Sequence, residues 1–303
     1  MPWAGGPRFI LPSRKADEKA EMTTATSDLS RVFARQIADK KLELPTMPGT
    51  ASEVMTLCQQ ETTDAAKLSA VIHKDQTIAS NVLRVANSAA YAGQVACASL
   101  QQAVSRLGMQ LITEIAMAVS VRGRMFGNPK CAELLAALWK HSVLTGFYTK
   151  EIARLRRRNV EIAFLCGLLH DLGKAVLLNN VDRVVGKGDL EIPIAYLLHA
   201  VDEQHVQAGA LLAGEWKLPE QIAEAVLCHH DYVQAKRFQD MAMTVCLADL
   251  LSHHIAPGPF CEPPTEDALK EHPVLAGLNI YPDQLDELLQ KRDRALLVTE
   301  GMR

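Results

Sequence analysis

Long apolar runs are missing from this 303-residue sequence. None approaches the roughly 18 residues that a membrane-spanning helix requires. The opening stretch, MPWAGGPRFILPSRKADEKAE, lacks the apolar core of a secretory signal. An excess of charge of one sign is missing too. Lys and Arg number 32 against 35 Asp and Glu, a net charge of −3, so no global field draws the chain to nucleic acid or to an anionic membrane. The seven cysteines (Cys58, Cys97, Cys131, Cys166, Cys228, Cys246 and Cys261) form no Cys-x-x-Cys pair and are odd in number. Most lie in apolar stretches, where cysteine behaves as a small hydrophobe. This usage excludes a disulfide framework and predicts a reducing, cytoplasmic setting.

Period-two alternation is also absent, as are internal repeats and low-complexity segments. What is present is a folded-protein composition, 48% hydrophobic and 22% charged, with helical spacing throughout. Leu29, Val32, Phe33 and Ile37 open the pattern, and LPTMPG (44–49) breaks it. Thr50-Ala-Ser-Glu53 reads as a capping box, and Asp64 as the cap of a third helix. A fourth helix is predicted over 78–91. Ser99 opens another, with Gly108 as its stop and a continuation to about 123. GNPK (127–130) marks an internal boundary. A long helix then covers about 131–154, ending in RLRRR, and Asn159 caps the helix that leads to His170. Further helices are predicted near 190–201, 203–215, 219–229 and 239–254. APGPFCEPP (256–264) reads as a Pro-rich linker that lets a last helix, about 282–296, dock separately. The fold class is therefore all-α. The expected organisation is a flexible tail (1–26), an N-terminal helical part (27–126), a second helical part (127–255) and a linker with a C-terminal helix (256–303).

Several polar residues stand on apolar faces. His141 shares a stripe with Leu134, Leu138 and Thr145. His170 closes a stripe of small residues, Ala163, Cys166 and Gly167, which lets another backbone come close, and Asp171 follows it. His205 precedes Gly209 by one turn, and His229 and His230 end a helix. Asp249 is the only charged residue in MAMTVCLADLLS. A lone buried carboxylate demands a cation, a strong donor set or a raised pKa. Singly, each histidine also reads as a hydrogen-bonded core or helix-end residue. Together, His141, His170, Asp171 and Asp249 form a mixed nitrogen and oxygen set suited to Fe, Mn, Zn, Ni or Co. His205, His229 and His230 could complete a second ion site or contact an anion. Lys174 reads equally as a phosphate contact and as a solvated helix-end lysine. The basic cluster Arg154, Arg156, Arg157 and Arg158 reads as a solvated helix end or as a phosphate or nucleic-acid contact. No aromatic interleaves with it, so nucleic acid is disfavoured.

The order His141, His170–Asp171, His205, His229–His230, Asp249 is similar to the HD superfamily of metal-dependent phosphohydrolases, which includes the HD-GYP cyclic-dinucleotide phosphodiesterases. LLHDLGK resembles the central motif of that superfamily. After His230 the chain runs DYVQAKRFQD, without a Gly-Tyr-Pro segment. LPTMPGTASEVMTL, VIHKDQTIASNVLRVANSAAY, SLQQAVSRLG and WKLPEQIAEAVLCHHD look like the HDOD domain, the HD-related output domain of bacterial signalling proteins. The resemblance covers about residues 40–255, with Asp75-Gln76 where Asp-Pro is usual. It implies an all-helical regulatory module that engages a signalling protein, with one or two divalent ions held by the seven residues named. It leaves room for a homodimer and involves no membrane. The alternative it carries is a phosphohydrolase acting on a phosphorylated small molecule or nucleotide, with Lys174 and Asp171 in catalysis.

Overall fold

Apolar residues at helical spacing become helices throughout, and no strand occurs among the described residues. In this computed structural model those residues are 29–58, 68, 70–72, 74–185 and 193–302. The expected tail (1–26) and the expected cap Asp64 lie outside them.

Helix α1 (29–38) buries Phe33 against the core. The extended segment after it is held by later helices. Asn180 exchanges two hydrogen bonds with the Glu43 backbone (2.8 and 3.0 Å), and the Trp216 indole donates to the Pro45 carbonyl (2.7 Å). The expected capping box does not open α2 (Gly49–Cys58). The Pro48 carbonyl already accepts the Ser52 N–H, so Thr50 lies inside the helix, and Glu53 pairs with Lys74 at 2.8 Å instead. Helix α3 (Gln76–Ala86) begins at 76 rather than 78, because Asp75 caps it through the Thr77 and Ile78 N–H groups. It stops at 86 rather than 91, because Asn87 turns its amide to the Cys97 backbone in two hydrogen bonds (2.8 and 3.0 Å).

Helix α4 (Leu100–Met125) starts at the Ser99 cap and breaks at Gly108, whose φ of 76° and ψ of 162° are not helical. It does reach the length and apolarity of a membrane span, a point the sequence expectation missed. Within the bundle it packs on α2 and α3, and its buried Glu114 pairs with Lys150 at 2.6 Å.

The next six helices build the centre of the molecule: α5 (Ala132–Leu155), α6 (Val160–Leu169), α7 (Leu172–Val185), α8 (Ile194–Glu215), α9 (Glu220–Cys228) and α10 (Gln239–Ile255). α5 packs along α6 and α10, α7 along α8, and α9 touches α6, α8 and α10. α6 is buried from Ile162 to Leu169, as a helix apolar on all sides must be. α8 is one helix where the sequence suggested two. Asp202 and Glu203 do not interrupt it; their carboxylates reach outward to Lys174 (3.4 Å) and Ser30 (2.6 Å).

The predicted last helix divides at Lys291 into α13 (Pro282–Gln290) and α14 (Arg292–Gly301), preceded by α11 (Glu266–Lys270) and α12 (Pro273–Leu278). These helices do not dock separately. Trp139 donates to the Met302 carbonyl (3.1 Å), Arg84 to the Gly301 carbonyl (2.8 Å) and Arg156 to the Leu278 carbonyl (2.9 Å). The basic cluster is structural as well. Arg156 forks onto Asp240 (2.7 and 2.8 Å), Arg154 pairs with Glu151, and Arg157 takes the left-handed position (φ 54°) that closes α5.

Candidate metal centre

Two glycines set the spacing of the helices that carry the polar residues. A Cβ on Gly167 of α6 would lie 2.3 Å from Thr149 Oγ1 and 2.7 Å from the Thr145 carbonyl of α5. A Cβ on Gly173 of α7 would lie 1.8 Å from the His205 carbonyl of α8, and Gly209 faces the same contact. Only hydrogen at these positions lets α5 meet α6, and α7 meet α8, so closely.

The close packing brings all seven sequence-selected residues together. His141 comes from α5, His170 and Asp171 from the α6–α7 turn, His205 from α8, His229 and His230 from the end of α9, and Asp249 from α10. Asp171 lies between two groups. Its Oδ2 faces His170 Nε2 (3.5 Å) and His141 Nε2 (3.7 Å), and its Oδ1 faces His205 Nε2 (3.3 Å) and His229 Nε2 (3.7 Å). Asp249 Oδ1 stands 3.0 Å from His141 Nε2 and 3.6 Å from His170 Nε2. On the other side, His205 Nε2 is 3.3 Å from His229 Nε2 and 3.2 Å from His230 Nε2, with His230 at the exposed rim.

The tautomers decide what these contacts are. The Nδ1 atoms of His170, His205 and His229 each face a backbone carbonyl three residues back, those of Gly167, Asp202 and Val226. A carbonyl only accepts, so each Nδ1 carries the proton and each Nε2 of the neutral ring is a lone pair. His205 and His229 therefore aim two lone pairs at each other, which is repulsive without a cation between them. Outer hydrogen bonds of this kind are the usual second-shell support of metal-bound histidine. Asp171 Oδ1 and Asp249 Oδ1 are buried without a hydrogen-bond donor. Donors about 2.1 Å from a common ion stand roughly 3.0–3.4 Å apart, close to the separations seen. The residues fit divalent metal ions.

Electrostatics agree at His141, His205 and His229. Burial, with the neighbouring His253, pushes His141 down to about 4, against the pull of Asp249. Burial and Lys174 push His205 down to about 3. Burial and the surrounding imidazoles hold His229 well below its ordinary value. These rings are neutral donors at pH 7. Burial opposes the charge of Asp171, yet the Lys174 ammonium beside it holds its carboxyl well below the usual range, and the carboxylates of Asp171 and Asp249 raise His170 against burial.

Three features escape the sequence reading. His253, one turn after Asp249, puts Nε2 3.3 Å from Asp249 Oδ1 and stacks on His141 at 4.3 Å. The only sequence signal for it is the i,i+4 spacing from Asp249. Lys174 is not a solvated lysine; it is buried between Asp171 (2.8 Å) and Asp202 (3.4 Å). The Pro-rich stretch is a roof rather than a linker. Residues 256–260 line a cavity of about 50 Å³ beside His141, Asp171, Lys174 and His253, and buried Phe260 stands 5.3 Å from the Lys174 ammonium.

Known proteins resemble this chain, one in sequence and two in fold. An uncharacterized protein of Treponema pallidum is 25% identical over 253 residues, 80% of this chain and 47% of that protein, so the chain spans less than half of that relative. The crystal structure of a "Putative metal-dependent phosphohydrolase" from Shewanella amazonensis SB2B aligns with a TM-score of 0.67 and 19% identity over 92% of this chain and 100% of that one. The structure of a "Putative signal transduction protein" from Marinobacter aquaeolei VT8 aligns with a TM-score of 0.67 and 20% identity over 92% of this chain and 66% of that one. At such identities these structures establish a common fold. Residues 44–232, more than half of the sequence, match the HDOD domain, and the chain belongs to the HDOD domain family.

Proposed function

We propose that this chain is a signal-transduction module of HDOD type that binds one or two divalent ions and acts by engaging a signalling protein rather than by turnover. The observation that carries the metal reading is the two-sided setting of Asp171, one carboxylate oxygen toward each histidine group. Fe, Mn, Zn, Ni or Co suits such a nitrogen and oxygen set. In this reading His141, His170, Asp171 and Asp249 hold one ion, and Asp171 with His205, His229 and His230 holds the other. The roof formed by 256–260 and the small volume beneath it argue against admission of a large phosphodiester. Lys174, the residue best placed to meet a phosphate, is already bound by two carboxylates. The related fold of a protein described as acting in signal transduction supports the same reading.

A second reading, a metal-dependent phosphohydrolase, is favoured by the completeness of both ligand groups. A bound ion would supply Lewis acidity and a hydroxide nucleophile at neutral pH. In that case Asp171 would span the two positions, and Lys174 would release Asp202 to orient a phosphate oxygen. The readings separate in one assay. Protein loaded with Mn²⁺ or Zn²⁺ is given bis(p-nitrophenyl) phosphate, nucleotides and cyclic dinucleotides. Our reading predicts no enzymatic turnover. Turnover that His170→Ala abolishes would establish the hydrolase instead.

A further inference from the structure

Asp249 Oδ1 has three imidazole nitrogens around it: His141 at 3.0 Å, His253 at 3.3 Å and His170 at 3.6 Å. His253 lies one turn along α10 from Asp249 and is 6% exposed. Its ring stacks on His141 with 4.3 Å between centroids and 28° between planes, so the two imidazoles run side by side into the same space. Its Nδ1 is buried with no hydrogen-bond partner, and Asp249 Oδ1 has no hydrogen-bond donor. His253, His141 and Asp249 thus make a close trio of donor atoms on the cavity side of the first group.

We propose that His253 is a direct metal ligand of the first ion, beside His141, His170, Asp171 and Asp249. The inference rests on the metal reading above and deepens it. His253 turns Nε2 to the one carboxylate oxygen that two other imidazoles already face, so an ion placed among them would meet all three rings and the carboxylate at once. Five protein donors, three of them imidazole, disfavour Mg²⁺ and Ca²⁺, which take oxygen ligands, and favour Zn²⁺ and the first-row transition metals. Five protein donors would leave an octahedral ion one position for water or substrate. Catalytic ions keep positions free for water and substrate, so a five-donor first site is the arrangement of an ion that is held rather than one that turns over large substrates.

The test uses the full chain and Zn²⁺ alone. In crystals of the wild-type protein grown with Zn²⁺, the anomalous peak of the first site is expected about 2.0–2.1 Å from His253 Nε2. Competition with a chelating dye then compares wild type with His253→Gln, and His254→Gln serves as the neighbouring control. Loss of even an outer-shell partner weakens metal binding ~10–100-fold, and His253→Gln is expected to weaken one of the bound ions by at least that factor while His254→Gln does not. An ion at the first site more than about 3 Å from His253 Nε2, or equal Zn²⁺ affinity in wild type and His253→Gln, overturns the assignment and leaves the metal reading standing. No bound Zn²⁺ in the wild type overturns both, so the two failures are distinguishable. The crystal measurement needs no variant and decides the matter even if His253→Gln does not fold.

Discussion

At the scale of single residues, the centre is a set of charges and lone pairs that need one another. Lys174 donates directly to Asp171 Oδ2 at 2.8 Å. Breaking a buried ion pair from one side costs about 3–5 kcal/mol. Lys174→Met is therefore expected to destabilise the metal-free protein by about that amount, and Zn²⁺ to restore much of it, as urea unfolding with and without the ion would record. Outside the centre, Asp240 lies between Arg156 and Arg158. The hydrogen bond from Arg156 holds its carboxyl below 3.8, against burial. A carboxyl lowered on folding stabilises above its unfolded value and loses that contribution as pH falls through the folded one. Asp240→Asn should then lower the urea midpoint at pH 7, and the difference from wild type should vanish as pH falls well below 3.8. Much of this scale is legible in the sequence. His141, His170 and Asp249 stand out because each is polar on an otherwise apolar face, and Asp171, His205, His229 and His230 by the chain order they complete. His253 hides because it precedes a second histidine at a helix end, where imidazole has an ordinary reason to be.

Elements put those residues within reach, and here backbone contact decides. α7 and α8 touch at Gly173 and the His205 carbonyl, with no room for a methyl group. Gly173→Ala is expected to push α8 away, costing ~3 kcal/mol or more in stability and weakening metal binding at the His205 group before the His141 group. Thermal unfolding and Zn²⁺ titration would show the two effects together. Helix ends give the opposite kind of change. α8 closes with Lys217 in the left-handed region (φ 49°) and the Leu218 N–H on the Ala213 carbonyl. Glycine takes that conformation without a Cβ penalty, so Lys217→Gly should be neutral or stabilising by up to ~1 kcal/mol. Helix existence is plain in the spacing of apolar residues, but helix ends are not. The fused α8 shows why: two adjacent acids resemble a junction until their carboxylates are seen reaching Lys174 and Ser30. The division at Lys291 has no proline or glycine to announce it.

For the whole molecule, the metal reading makes the ion part of the fold. The ligands come from α5, the α6–α7 turn, α8, the end of α9 and α10, so one site ties the central helices together. An ion that binds only the folded state at 1,000 times its dissociation constant adds about 4 kcal/mol, and chelation should lower the melting temperature accordingly. The C-terminal helices lock onto this unit through Trp139 and Arg156 and onto α3 through Arg84, contacts between residues up to 217 positions apart. No periodicity can reveal partners so distant, and the roof over the cavity is invisible in sequence for the same reason. Whether the centre holds metal at all is asked most directly by elemental analysis of wild type and Asp171→Asn, both purified without chelator. The account predicts one or two transition-metal ions per wild-type chain and a large loss in the variant, whose two histidine groups are no longer joined by a carboxylate. A wild-type protein that is folded, never exposed to chelator and free of bound metal would contradict it.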